Sequence, residues 1–194
     1  MTNTTFFMKI LSGTLKGRNF YMPQGIRPTS DIIRKSLFDT LGQDLEGVSF
    51  LDLFAGSGAV GLEALSRGAK NVFWVEKDYK RARLIEENLM SLASPASERK
   101  DSYLDVVHSD VFAAIKIFLK EKKLFDVVFI DPPYSRELAK KALKTLCGYD
   151  ILQPNSIVVF QHEKREVLPD SEGPLSLLKR RKYGASFLTI YRKI

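Results

Sequence analysis

The regular alternation of short apolar runs with helix-like segments constrains the fold of this chain more than any other feature. Between residues 48 and 161, each apolar run except the last leads into a segment with apolar residues at helical spacing. The predicted strands are Val48–Leu53, Asn71–Glu76, Tyr103–His108, Phe125–Ile130 and Ser156–Gln161. The predicted helices between them are Ala59–Arg67, Tyr79–Leu92, Val111–Lys120 and Arg136–Cys147. This alternation predicts a doubly wound α/β fold around a mostly parallel sheet.

Both ends of the chain depart from the alternation. Residues 7–12 and 18–22 predict an N-terminal β-hairpin with a glycine-containing turn. Leu177–Lys182 and Ser186–Arg192 predict a second antiparallel hairpin around Tyr183-Gly184, which gives a seven-stranded sheet an antiparallel edge. We therefore divide the chain into a hairpin extension, residues 1–25, and an α/β domain, residues 26–194.

A glycine-rich turn follows the first strand of the alternation. Gly56, Gly58 and Gly61 have the GxGxxG spacing between a strand and a helix, where the backbone can approach a ligand closely. Dinucleotide enzymes share this spacing. Asp52 at the strand end would repel a pyrophosphate but attract an ammonium group, which argues against NAD.

Acidic residues end the next two strands. Glu76 lies 20 residues beyond Gly56, where it can accept hydrogen bonds from both hydroxyls of a ribose. Asp110 follows the third strand and can accept from an adenine amino group, cap its helix, or do both. A surface role for Glu76 is the alternative. An amino acid joined to a nucleoside is what S-adenosylmethionine presents, so these residues predict that cofactor.

The fourth strand leads into Asp131-Pro132-Pro133-Tyr134 at the same sheet edge. Two prolines end the strand and remove two N–H donors, so the turn offers the Asp131 carboxylate and the proline carbonyls as acceptors. An exocyclic amine of a base has two N–H groups and a lone pair delocalised into the ring. When acceptors bind both hydrogens, the lone pair becomes available to attack a methyl group. Tyr134 can stack on the base, worth about 1–3 kcal/mol. The alternative is a plain Asp-Pro turn with a core tyrosine.

Positive charge is concentrated at the two ends of the chain. The net charge is +4 over residues 1–43, +6 over residues 179–194 and −3 between them, out of +7 in total. Solvated lysines are the ordinary explanation, but this clustering favours a polyanionic partner. The residues expected to contact RNA are Lys16, Arg18, Arg27, Thr29, Arg34, Lys179, Arg180, Arg181 and Lys182. Residues 179–182 can also be an ordinary edge strand.

The composition restricts the remaining possibilities. Cys147 is the single cysteine and the chain has two histidines, so we expect no disulfide and no metal site. No apolar run is long enough for a membrane span and the first 20 residues lack the features of a signal peptide, so we expect a cytoplasmic protein. Nothing requires a dimer, and a monomer is expected.

These motifs resemble those of class I methyltransferases with a Rossmann-like fold. More narrowly, nearly the whole chain is similar to the RsmD family, the bacterial guanine-N2 methyltransferases of small-subunit (16S) ribosomal RNA. The resemblance rests on Lys16-Gly17-Arg18, on the segment from Gly25 to Asp31, on the segments from Asp52 to Gly58 and from Glu63 to Ala69, and on Tyr183-Gly184 with Tyr191. Lys35 departs from it, because the family usually has Glu there.

The resemblance implies an activity and a set of site residues. It implies a cofactor site at Asp52, Phe54, Gly56, Gly58, Glu76, Lys77, Asp110 and Val111, with catalysis at Asp131, Pro132, Pro133 and Tyr134. It further implies methylation of guanine N2 in 16S rRNA on an assembled or nearly assembled small subunit. Two alternatives stay open: a DNA adenine-N6 or cytosine-N4 methyltransferase, and a non-catalytic ribosome-assembly factor.

Overall fold

The computed structural model describes residues 6–26, 29–92, 102–133 and 137–194. Strands β1 (Phe6–Lys9) and β2 (Asn19–Met22) form the N-terminal hairpin, and helix α1 (Asp31–Leu41) follows. The alternating part comprises β3 (Ser49–Leu53), α2 (Ala59–Ser66), β4 (Asn71–Glu76), α3 (Tyr79–Leu92), β5 (Tyr103–His108), α4 (Val111–Lys120), β6 (Phe125–Ile130), α5 (Leu138–Gly148) and β7 (Leu152–Glu163). The chain ends with β8 (Ser171–Glu172), β9 (Leu175–Tyr183) and β10 (Ser186–Lys193).

The predicted α/β fold with a mostly parallel sheet is confirmed. Strands β3 to β10 form one sheet in the order β5-β4-β3-β6-β7-β10-β9-β8. Pairing is parallel from β5 to β7 and antiparallel from β7 to β8. Among the described residues this sheet has eight strands rather than the predicted seven, because the two-residue strand β8 pairs with β9. Since β3 lies between β4 and β6, the strand order reverses there, and ligands bind at such switch points.

Two apolar cores lie on opposite faces of this sheet. Alternation along β3 sends Phe50 to one core, and Leu51 and Leu53 to the other. Apolar residues of the hairpin, α1, α2 and α3 fill the first core, and those of α4 and α5 fill the second. Trp74, a residue of β4, is fully buried in the first core. Burial on both faces explains why the parallel strands are continuously apolar.

One strand boundary differs from the sequence-based prediction for a physical reason. Strand β7 begins at Leu152 rather than at Ser156. Its first part contains Pro154 and Asn155, two residues typical of turns, and Asn155 has a φ of 62°. The register of pairing with β6 shifts across this segment. The strand therefore continues through an irregular stretch that looks like a turn in the sequence.

A buried ionic cluster joins the hairpin to the helices. The Glu63 carboxylate in α2 accepts from the backbone N–H groups of Leu11 (2.8 Å) and Ser12 (2.9 Å). It also forms ion pairs with Arg67 at 2.9 Å and Arg34 at 3.5 Å. Two backbone hydrogen bonds and two opposite charges thus surround the buried Glu63 carboxylate, which favours burial of its charge.

The position of Arg34 contradicts its predicted contact with RNA. Its side chain has no exposed surface, and its guanidinium also donates to the Lys9 carbonyl and pairs with Asp31 at 2.7 Å. Arg34 therefore presents nothing to a phosphate. The periodicity of α1 places positions 33, 34 and 37 on its buried side, and the Glu63 carboxylate allows an arginine at one of them.

Candidate active site

A cleft of about 1270 Å³ opens at the carboxyl edge of the parallel strands. Its walls come from the loops after β3, β4, β5 and β6, from the turn between β9 and β10, and from the segment before α1. Its volume exceeds the roughly 1000 Å³ at the upper end for a single small-molecule site. The cleft therefore has room for two ligands side by side.

The glycine loop after β3 forms the floor of one half. Phe54, Gly56 and Gly58 have φ angles of 63°, 55° and 73°, so the loop is in the left-handed region at three positions. A side chain at Gly61 would lie 2.1 Å from the Trp74 indole nitrogen. Glycine there permits close packing of α2 on β4, which holds the start of α2 beneath the cleft.

The Glu76 carboxylate anchors this loop. One oxygen accepts from the Gly56 N–H and the other from the Asp78 N–H, both at 2.8 Å. The side chain is largely buried but lines the cleft. A carboxylate has about four acceptor positions, so each oxygen can still accept from a sugar hydroxyl.

Asp110 lies on the neighbouring strand end. One of its oxygens accepts from the Phe112 N–H at 3.0 Å, which confirms the N-cap alternative for α4. The other oxygen is 3.9 Å from the ammonium group of the exposed Lys77. Asp110, Val111 and Lys77 all line the cleft, so Asp110 can cap the helix and face a ligand at once.

Asp52 lies under the loop rather than on the cleft wall. It is 2% exposed, and its carboxylate accepts from the Gly61 N–H at 3.0 Å. Burial raises the pKa of Asp52 well above its usual value; the Gly61 N–H opposes this shift, and the charges of Asp131 and Glu76 add to it. Neither Asp52 nor Gly58 lines the cleft, so the two residues shape the loop from below.

The Asp-Pro-Pro turn follows β6, the strand between β3 and β7. Asp131, Pro132 and Pro133 all line the cleft. The Thr29 hydroxyl donates to the Asp131 carboxylate at 3.1 Å, which ties the segment before α1 to this turn. Thr29, predicted to contact RNA, thus also positions Asp131. The predicted site residues Tyr134 and Arg27 lie outside the described residues.

The remaining basic residues predicted to contact RNA fall into two groups. Lys16, Lys179, Arg181 and Lys182 are exposed, and Lys182 lines the cleft. Arg18 and Arg180 are half-buried and are used within the fold. The Arg18 guanidinium donates to the Ser91 and Leu92 carbonyls at the end of α3, and that of Arg180 to the Leu168 carbonyl at 2.8 Å.

Sequence reasoning missed several residues of the cleft. Gln161 of β7 and the turn from Tyr183 to Ser186 line it. The Tyr183 hydroxyl also hydrogen bonds to Ser36 of α1, which fixes this turn against the helix. The available signal was the position of Gln161 at the end of the strand after the Asp-Pro-Pro strand, because neighbouring parallel strands end at one edge.

Two structural absences apply to residues 6–26, 29–92, 102–133 and 137–194. In these ranges no helix is long and apolar enough to cross a membrane. In the same ranges, histidine, cysteine and carboxylate side chains form no group of three that could hold a metal ion.

This is a class I methyltransferase fold. It has the strand order of that class, a glycine loop at the switch point, and the acidic residues Glu76 and Asp110 after the next two strands. The family described as conserved hypothetical protein 95 matches residues 8–192. Ribosomal RNA small subunit methyltransferase D of Haemophilus influenzae is 34% identical over 193 residues, covering 95% of this chain and 93% of the relative. Its Escherichia coli K12 counterpart is 31% identical, with coverage of 96% and 90%. The chain belongs to this family, the RsmD family of RNA methyltransferases.

Solved structures agree with this assignment. The Escherichia coli protein yhhF superposes with a TM-score of 0.82 at 31% identity, covering 97% of this chain and 98% of that one. The Thermus thermophilus 16S rRNA N2 G1207 methyltransferase RsmC, solved with AdoMet and guanosine, has a TM-score of 0.72 at 20% identity. The match covers 98% of this chain and 50% of RsmC, and at this identity it shows the fold alone.

Proposed function

We propose that this protein transfers a methyl group from S-adenosylmethionine to the exocyclic N2 of a guanine in 16S rRNA, on an assembled or nearly assembled small subunit. The observation that carries the proposal is the Asp131-Pro132-Pro133 turn on the wall of the cleft at the carboxyl edge of the sheet. The family membership and the names of the relatives support RNA as the substrate. Guanine N2 rests on those names and on the family resemblance.

The residues of one half of the cleft fit S-adenosylmethionine. Glu76 suits the ribose hydroxyls and Asp110 the adenine amine, while Phe54, Lys77 and Val111 add the remaining wall. This cofactor supplies an electrophilic methyl carbon.

The other half of the cleft supplies acceptors for the amine. The Asp131 carboxylate and the carbonyls of Pro132 and Pro133 can accept the N2 hydrogens and direct the nitrogen lone pair at the methyl carbon. As the new N–C bond forms and the C–S bond breaks, the nitrogen must lose one proton. Asp131 can accept that proton or can hold the amine while water removes it. Tyr134 is proposed to stack on the base.

Exposed basic residues are proposed to hold the RNA around the cleft. Lys182 reaches the cleft itself, while Lys179 and Arg181 extend the same strand outward. Lys16, Arg27 and Thr29 would extend the contact on the hairpin side. A monomer in the cytoplasm, where small subunits are assembled, is sufficient for this chemistry.

The test is transfer of label from tritiated S-adenosylmethionine. Small subunits from a strain that lacks this gene, free 16S rRNA and duplex DNA are each incubated with the protein, and the nucleosides are analysed. We expect N2-methylguanosine in the subunits and less label in free rRNA. Label in DNA would support the DNA-methyltransferase alternative, and binding to subunits without transfer would support an assembly factor.

A further inference from the structure

Gln161 is a buried polar residue at the cleft whose side chain is incompletely satisfied. It lies near the end of β7, is 6% exposed and lines the cleft. Among the described residues, its side-chain oxygen has no hydrogen-bond partner. Most buried polar groups are hydrogen-bonded, and an unpaired one in a native structure calls for an explanation. A ligand that donates a hydrogen bond would supply one.

The sheet register places Gln161 beside Asp131. The parallel strands β6 and β7 pair Phe129 with Val159 and Ile130 with Phe160. The next residues along the two strands are Asp131 and Gln161. Because side chains alternate along a strand, both emerge on the sheet face of Phe129 and Val159, which is the face covered by α1.

This position belongs to the half of the cleft opposite the proposed cofactor site. The cofactor residues follow β3, β4 and β5, whereas Gln161 lies between β6 and β10. On its other side it pairs with Leu188 of β10. The end of β9 and the turn into β10 carry the cleft residues from Lys182 to Ser186. Gln161 therefore faces the volume that the proposed function assigns to the target base.

We propose that the Gln161 carboxamide recognises the edge of the target base and selects guanine. This inference rests on the proposed function. Next to its N2 amine, guanine presents the N1–H donor and then the O6 acceptor. A carboxamide offers one acceptor and two donors, so it can bond N1–H and O6 together while Asp131 holds the amine. The unpartnered oxygen is the atom that N1–H would satisfy.

The same arrangement rejects the other amino bases. In adenine the atom next to the reactive amine is N1, and in cytosine it is N3, and both carry a lone pair instead of a hydrogen. The Gln161 oxygen would then face another acceptor. Sites built to hydrogen bond a substrate group reject analogues that lack it, because their own polar groups stay unpaired.

The experiment compares guanine with 2-aminopurine at the target nucleotide. 2-Aminopurine keeps the reactive amine but lacks both N1–H and O6. Subunits are reconstituted with rRNA that carries either base at the guanine located by nucleoside analysis, and kcat/KM is measured with wild-type protein and Gln161→Met. Gln153→Met, at the opposite end of β7, is the matched control. Calorimetric titration with S-adenosylmethionine monitors the cofactor half of the cleft.

For wild-type protein and Gln153→Met, we expect kcat/KM to be roughly ten- to a hundredfold lower on 2-aminopurine than on guanine. Gln161→Met should lose that preference by falling on guanine alone, with unchanged cofactor affinity. Equal wild-type rates on the two bases would overturn the inference, even if Gln161→Met did not fold. Equal losses on both bases in Gln161→Met would also overturn it. Failure of wild-type protein to methylate guanine would instead refute the proposed function.

Discussion

At the scale of single residues, Asp131 is the point on which the proposed chemistry depends. It faces the cleft, accepts from Thr29 at 3.1 Å and precedes two prolines that donate nothing. It follows β6, which lies between β3 and β7 in the sheet. A carboxylate there can orient an amine and accept its proton, and an amide of the same shape can only orient it.

The first prediction separates these two roles. Asp131→Asn should keep cofactor affinity and lower single-turnover methylation of small subunits by about 10²–10⁴-fold if the carboxylate accepts the proton. Asp131→Ala should be at least as slow, because it also loses the contact with the amine. Asp39→Asn, on the exposed side of α1, is the control and should behave as wild type. Normal rates for Asp131→Ala would refute the mechanism.

His162 gives a second prediction, on stability against pH. Its imidazole is 2% exposed and bonds to Thr189 at 2.7 Å. Burial lowers the pKa of His162 from 6.5, and the charge of Arg180 lowers it further. The hydrogen bond with the Glu163 backbone, together with the charge and backbone of Glu166, opposes this shift. The folded state therefore favours neutral His162, and the stability this provides is present above about pH 6.5 and lost as pH falls.

Thermal unfolding between pH 7.5 and 5 measures this effect. The melting temperature should fall on acidification in wild-type protein and should fall less in His162→Gln, which cannot be protonated. His108→Gln is the matched control, because His108 is exposed at the end of β5. An identical pH dependence in wild type and His162→Gln would show that His162 is not the source.

At the scale of secondary-structure elements, the Glu63 cluster determines how the hairpin and α1 pack on α2. A single carboxylate receives two backbone N–H groups and two arginines. The cluster joins Glu63 of α2 to Leu11 and Ser12, which lie 52 and 51 positions earlier in the chain. It also includes Arg34 of α1, the helix between them in sequence. The cluster therefore supports the α1 end of the cleft from beneath.

Removal of one charge from this cluster should be strongly destabilising. Arg34→Met leaves Glu63 with one cationic partner, and urea denaturation should show a loss of about 3 kcal/mol. Lys35→Met, its exposed neighbour on α1, should change the free energy of unfolding by less than about 0.5 kcal/mol. Equal effects of the two substitutions would contradict the structural role assigned to Arg34.

At the scale of the whole molecule, the basic strand β9 gives the fourth prediction. Replacement of Lys179, Arg181 and Lys182 together by glutamine should weaken binding to small subunits and reduce its dependence on salt, since fewer counterions are released from RNA. In the triple variant, the plot of log association constant against log salt concentration should have a slope that is less negative by roughly two. Lys116, Lys120 and Lys122, exposed around α4, provide a control triple of equal charge. Equal losses in both triples would indicate non-specific attraction.

Much of the fold and half of the candidate site followed from local patterns. The period of apolar residues predicted β3 to β6 and their helices, and the glycine loop, Glu76, Asp110 and Asp131 each lie at a strand end that the sequence marks. Strand ends are predictable because parallel strands of one sheet share an edge. The start of β7 was missed because Pro154 and Asn155 resemble a turn.

The sequence by itself thus determined the α/β alternation, the glycine loop and the Asp-Pro-Pro turn, because each depends on neighbours within a few residues. Only the tertiary structure decided that Arg34 is buried, that Thr29 bonds Asp131 and that Gln161 faces the cleft. The first two facts depend on partners 29 and 102 positions away in the chain. The third depends on the pairing of β6 with β7, whose paired residues are 30 positions apart. Contacts between residues so far apart produce no periodic pattern in the local sequence. The sequence around an arginine, for example, does not show whether its charge will pair with an acid or face water.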